Sequence, residues 1–132
     1  MRAVDTNVLV RLVVRDDALQ VAAAEAFVTA GAWVSHLALA EATWVFAAVY
    51  GLSPKQIATA VETLLDHRQL TLQDEDVVAA ALVHFGRRPG LGFSDCLMVE
   101  IARRAGHLPL GTFDRALAKL PDVQAVSLRP LR

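Results

Sequence analysis

Short apolar runs alternate along the chain with longer stretches whose apolar residues recur at helical spacing. The first run, "RAV" (Arg2 to Val4), reads as a buried strand that stops at Asp5. Behind it, Val8, Leu9, Leu12 and Val13 fall on one helical side, with Arg11 and Arg15 on the other. Asp17 is placed to cap an alanine-rich helix from Ala18 to Ala30, which Gly31 closes. "AWVS" (Ala32 to Ser35) reads as a second strand, and a helix follows to about Tyr50 and stops at Gly51. Ser53, Pro54 and Gln56 form a start signal, a cap, a first-turn proline and a capping-box partner, for a helix to about His67. "QLTL" is a third strand, and Asp74 begins a helix lasting to about Phe85. The breakers of "GRRPGLG" make a loop, after which Ser94 is placed to cap a helix ending at Gly106. "HLPLG" reads as a fourth strand, Phe113 to Leu120 as a short helix, and "VQAVSL" as a last strand beyond Pro121.

Strands separated by helices imply a parallel sheet covered on both faces. The expected fold is a three-layer α/β/α sandwich with a central parallel sheet, built as a single domain across residues 1–132. In such folds the working site lies outside the carboxyl ends of the strands.

Composition narrows the picture. With 55% hydrophobic and 20% charged residues, the chain is globular and not disordered. No apolar stretch has the length of a membrane span, and the start lacks the layout of a signal peptide, so a cytoplasmic protein is expected. The one cysteine, Cys96, excludes an internal disulfide and a cysteine-based zinc cage. The net charge of −1 is no nucleic-acid footprint, so any contact with RNA or DNA must come from a local patch.

Four acids interrupt this apolar pattern. Asp5 stands at the carboxyl end of the first strand, and Asp114 follows the fourth strand in "GTFD". Glu41 is the only charge between Glu25 and Lys55, with Leu37, Trp44, Val45 and Ala48 at helical offsets, which predicts that it lies along an apolar face turned to the core. Asp95 is the only charge between Arg88 and Glu100 and sits in the first turn of its helix. Alone, each has an ordinary explanation: Asp95 and Asp114 as helix-start residues, Asp5 as a turn residue. Glu41 is harder to explain that way, because an ionised acid on a core-facing stripe needs a partner.

If the four converge they need protons or a cation, since two carboxylates about 5 Å apart repel by roughly 3 kcal/mol at an effective dielectric near 20. Oxygen-only ligands suit a hard ion, Mg²⁺ or Mn²⁺, over zinc. Acids around such ions match metal-assisted phosphodiester hydrolysis. Thr6, Asn7, Ser94 and Thr112 stand beside the acids as neutral hydrogen-bonding groups that could orient ligands or water.

Taken together, "VDTNVLVRLVVRDD", Glu41 in "SHLALAEATW", "GFSDCLMVEIA" and "LGTFDRAL" resemble the PIN domain, and among PIN proteins the VapC-type toxins of toxin–antitoxin pairs. The resemblance runs from the first residues to the last strand. It implies a Mg²⁺- or Mn²⁺-dependent endoribonuclease with Asp5, Glu41, Asp95 and Asp114 as its catalytic and metal-binding quartet. Asn7, Ser94 and Thr112 fall at supporting positions of those motifs. It also implies a homodimer and a cognate VapB-type antitoxin whose tail covers the acidic site.

Other residues have weaker claims. Arg11, Arg15, Arg87, Arg88, Arg103 and Arg104 are candidate RNA-phosphate contacts; Arg87 and Arg88 stand out because their loop leads into the Asp95 helix. Asp74, Glu75 and Asp76 read as a helix start, Cys96 as a small core residue. The four histidines are scattered without ligand spacing. Trp33, Trp44, Phe46 and Tyr50 belong either to the core or to a surface for self-association or antitoxin binding, since their helix is apolar nearly all round. Among rivals, an aspartyl-phosphate phosphatase wants a second aspartate where Asn7 stands, and a phospho-receiver domain needs paired acids and a late lysine that are missing. A PIN-like RNA- or protein-binding module without activity is the remaining alternative.

Overall fold

The computed structural model describes residues 1–129. Its elements run β1 (Arg2–Ala3), α1 (Thr6–Val14), α2 (Ala18–Val28), β2 (Ala32–Val34), α3 (His36–Ala48), α4 (Pro54–Leu65) and β3 (Leu70–Leu72). They continue with α5 (Glu75–Arg87), α6 (Phe93–Ala105), β4 (Leu110–Thr112), a 3-10 turn (Leu117–Lys119) and β5 (Val123–Ala125). Helices and parallel strands alternate as expected for the α/β/α sandwich.

Local chemistry sets most helix starts. The side chains of Asp5, Asp17, Ser35 and Ser53 each accept a backbone N–H from the first turn of the helix that follows. At α4 the box is reciprocal: Gln56 N–H donates to the Ser53 hydroxyl at 3.2 Å, and Ser53 N–H to the Gln56 amide oxygen at 2.8 Å. Ser53→Ala should therefore cost about 1 kcal/mol in urea unfolding, with the slope of the transition unchanged.

Two starts differ from the sequence expectation. Gly92, not Ser94, is the N-cap of α6, so Ser94 lies inside the first turn. The helix expected from Phe113 to Leu120 shrinks to the 3-10 turn, because the Asp114 carboxylate accepts the N–H groups of Ala116 (2.8 Å) and Leu117 (3.1 Å) and tightens the chain there. β4 also starts later than "HLPLG" suggests, and β5 ends at Ala125 instead of running to Leu128.

Every strand pair is parallel. β2 lies between β1 and β3, with Ala3 opposite Trp33 and Val34 opposite Leu72. β4 pairs with β5, Thr112 opposite Ala125. The strands are only two or three residues long, and among the described residues no ladder joins β1 to β4. The expected central sheet is thus two parallel segments. Between the layers lies one core in which Leu9, Leu39, Phe46, Leu64, Leu97 and Val99 are fully buried.

A buried acid that the sequence reading passed over fixes α6. Glu100 accepts from His84 of α5 at 2.7 Å and from Arg103 at 3.1 Å, and Arg103 reaches on to Asp122 at 2.6 Å. Arg104 pairs with Asp76 of α5 as well. These ties hold α5 and α6 together and set the register of the helix that carries Asp95. Among the described residues no helix is long and apolar enough to cross a membrane.

Candidate active site

Asp5 and Asp114 lie two residues past β1 and β4, and Glu41 and Asp95 are carried by α3 and α6. Asp5 has one oxygen tied down, because Oδ1 accepts the Val8 N–H at 3.2 Å. Thr6, next along the chain, donates its hydroxyl to Glu41 Oε2 at 2.7 Å. That bond ties α3 to the start of α1 and brings the Glu41 carboxylate to the neighbour of Asp5.

Glu41 does not face the core. It is exposed, as are Leu37 (70%) and Trp44 (67%) on either side of it, while Ala38, Leu39, Ala42, Thr43 and Phe46 form the buried stripe. The helix has apolar residues on both faces, so the pattern around Glu41 carried no information about which face was inside. Of the four aromatic residues singled out, Phe46 is core, Tyr50 is half-buried, and Trp33 and Trp44 are exposed.

Asp95 comes from the first turn of α6 and Asp114 from the turn after β4. Burial pushes the Asp95 carboxyl above its ordinary range, the Asp114 charge adds to that, and the Gly92 backbone N–H works against both. Asp114 is exposed, with Oδ1 engaged in the turn described above and its own N–H donated to the Thr112 hydroxyl at 3.0 Å. Ser94 is half-buried beside Asp95. Asn7 is exposed and borders a shallow cleft against α2 with Gln20 and Phe27.

Glu41 is thus tied to the neighbour of Asp5, and the Asp114 charge acts on Asp95. Among the described residues no three His, Cys, Asp or Glu side chains are grouped closely enough to hold a metal ion as they stand. Local hydrogen bonds hold Asp5, Glu41 and Asp114, and like charge opposes closer approach. The donor chemistry does fit a hard divalent ion: every group is a carboxylate or hydroxyl oxygen, and no histidine or thiolate competes. Cys96 is fully buried, and burial followed by the Asp95 charge pushes its thiol up to about 11, which removes it as a nucleophile near neutral pH.

The cationic candidates separate. Arg11 is braced by Gln20 (2.5 Å), Asp16 (2.6 Å) and Tyr50 (2.9 Å), a strut from α1 to α2 and to the turn after α3. Arg15 pairs with Glu25 in the open, an arrangement that water and phosphate can exchange. Arg103 and Arg104 are occupied at α5–α6, as described. Arg87 and Arg88 are exposed and, among the described residues, form no ion pair.

The sequence pattern of the PIN domain matches residues 2–123, nearly the whole chain. The chain belongs to the PIN domain family. No curated protein and no solved structure matches it significantly. PIN domains are generally nucleases that use divalent metal ions, so membership suggests a nuclease-type function acting on nucleic acid. The match spans all four acids, from Asp5 after β1 to Asp114 after β4.

Sequence reasoning missed Glu100. Its signal was present: an acid on the same helix as Asp95, three residues before Arg103, on a stripe otherwise filled by Cys96, Leu97 and Val99. His84, set aside for lack of ligand spacing, is its partner.

Proposed function

We propose that this PIN domain is a Mg²⁺- or Mn²⁺-dependent endoribonuclease and the toxin of a VapBC-type toxin–antitoxin pair. On this reading it is one domain across residues 1–132, cytoplasmic and homodimeric, and restrained by a VapB-type antitoxin that covers the acidic site. The observation that supports the nuclease reading best is the PIN-domain match, which spans all four acids. Glu41 is bonded to the neighbour of Asp5, and Asp95 senses the charge of Asp114.

Asp5, Glu41, Asp95 and Asp114 would hold the ion, which when bound supplies charge to activate water and to offset charge building on the phosphate. The remaining roles belong to the chain. Thr6 keeps Glu41 turned toward the start of α1. Asp95 has the most to gain from a cation, because its ionised form is the one that burial disfavours. Thr112 fixes the turn that presents Asp114, while Asn7 and Ser94 are placed to orient water or a ligand. Arg87 and Arg88 supply uncommitted charge for RNA phosphates, with Arg15 as a further contact.

Thr6→Val keeps the volume and removes the donor to Glu41. Cleavage should fall about 10-fold, in the range seen when a ligand's supporting hydrogen bond is lost, and Thr6→Ser should recover most of it. Assays of RNA cleavage with a metal series would check both.

The nuclease reading is tested by incubating purified protein with RNA and Mg²⁺ or Mn²⁺, alongside Asp5→Asn. Cleavage lost in the variant supports it; equal cleavage by both would mean a contaminant. That no three His, Cys, Asp or Glu side chains are grouped among the described residues favours a second reading, a PIN-like binding module without activity. That reading predicts RNA binding with no cleavage in any metal. The toxin role is tested by growth arrest on expression, relieved by a small protein encoded alongside.

A further inference from the structure

Next to the first turn of α6, which carries Asp95, lies an apolar cavity of about 280 Å³, between the second half of α3, the start of α4 and the loop joining α5 to α6. Trp44, Ala47, Leu52, Phe85, Leu91 and Ser94 are among its lining residues. Three features connect it to its surroundings. Trp44 sits at its edge, 67% exposed, one helical turn beyond Glu41. Ser94 belongs both to the cavity wall and to the first turn of α6, next to Asp95. On the loop side, Pro89 and Gly90 line it directly after Arg87 and Arg88, which form no ion pair among the described residues.

We infer that this cavity is a nucleobase subsite, in which a base of the RNA next to the cleaved bond unstacks from its neighbours and lies against Trp44. This rests on the nuclease reading of the acid site. An exposed indole face is a stacking platform for any base. The volume falls just below the usual range of small-ligand cavities, roughly 300–1,000 Å³, which suits one planar ring system and not a helix. Charge fits as well. The scissile phosphate would lie at the acids and the next phosphate at Arg87 and Arg88, with the base between them over a cavity that offers no charge. Thr43, also in the wall, has its hydroxyl donated to the Ala40 carbonyl at 2.8 Å, so Ser94 is the hydroxyl left there to read a base edge.

The test uses Trp44 as its own reporter. Replacing Trp33, the other tryptophan, by Phe isolates the Trp44 emission, and an added Asp95→Asn keeps the RNA intact. Single-stranded hexauridylate and hexaadenylate should quench that emission saturably, and an oligomer with one abasic position should quench less when the gap falls in the subsite. In the cleavage assay Trp44→Ala should raise KM about 5- to 100-fold, as loss of base stacking does. Trp44→Phe should recover most of the loss. Ala47→Phe, which fills the cavity from an exposed position, should mimic Trp44→Ala. Unquenched emission, or KM unchanged in both Trp44→Ala and Ala47→Phe, overturns the subsite, as does emission that answers only to a second copy of the chain or to an antitoxin peptide. Metal-dependent cleavage with unchanged KM would sink the subsite and leave the nuclease reading standing. Trp44-dependent RNA binding without cleavage would do the reverse.

Discussion

Asp95→Asn is expected to lower metal-dependent RNA cleavage by on the order of 100-fold or more, while leaving the fold as stable as before or more stable. The two halves of that expectation come from one cause. Asp95 is half-buried at the start of α6, and burial together with the Asp114 charge disfavours its ionised form. Its folded-state carboxyl therefore holds its proton to higher pH than the unfolded one does. The sign follows: above the unfolded value the ionised group costs stability, and the cost is relieved as pH falls through the raised folded value. Asparagine keeps the shape and removes the charge, so its melting temperature at neutral pH should equal or exceed that of the wild type. A carboxylate retained to hold the fold together would behave in the opposite way, and the variant would melt earlier. Calorimetry and a cleavage assay on one preparation measure both halves.

Chelation should produce the largest effect. With EDTA in excess, RNA cleavage by the wild type should disappear, and Mg²⁺ or Mn²⁺ should restore it. Like charge opposes closer approach of the carboxylates, so a divalent cation supplies the attraction that the side chains lack. The same linkage predicts a thermal signature, because an ion bound only by the folded chain stabilises it by about 2.7 kcal/mol at 100 times its dissociation constant. The melting temperature should therefore climb with added Mn²⁺, and Asp95→Asn should flatten that rise. Cleavage that persists in EDTA would contradict the assignment.

Much of the fold could be read from the residues because its signals are local. Ser53, Pro54 and Gln56 announce α4, and the observed capping box is the one expected. Asp17 and Gly31 bracket the region of α2 in the same way. The acids at strand ends could be read because Asp5 and Asp114 abut short apolar runs.

What escaped depends on long-range packing. α3 is apolar nearly all round, so spacing alone could not say that Ala42 and Phe46 face inward while Leu37, Glu41 and Trp44 face solvent. The 3-10 turn after β4 escaped because the Asp114 side chain competes with helical bonding, which a helix-spacing pattern does not register. The Glu100–His84 bond joins residues sixteen positions apart on two helices, and only the packing of α5 on α6 brings them together. Arg11 looked like a free cation because Asp16, Gln20 and Tyr50 meet it from three directions.

The central claim is that four carboxylates, two after strands and two on helices, act on one cation site. Mn²⁺ binding tests it without reference to activity. Calorimetric titration of the wild type should show saturable Mn²⁺ binding, and Asp5→Asn, Glu41→Gln, Asp95→Asn and Asp114→Asn should each weaken it about 10-fold or more. Mn²⁺ binding that is absent in the wild type, or that all four variants leave unchanged, would contradict it.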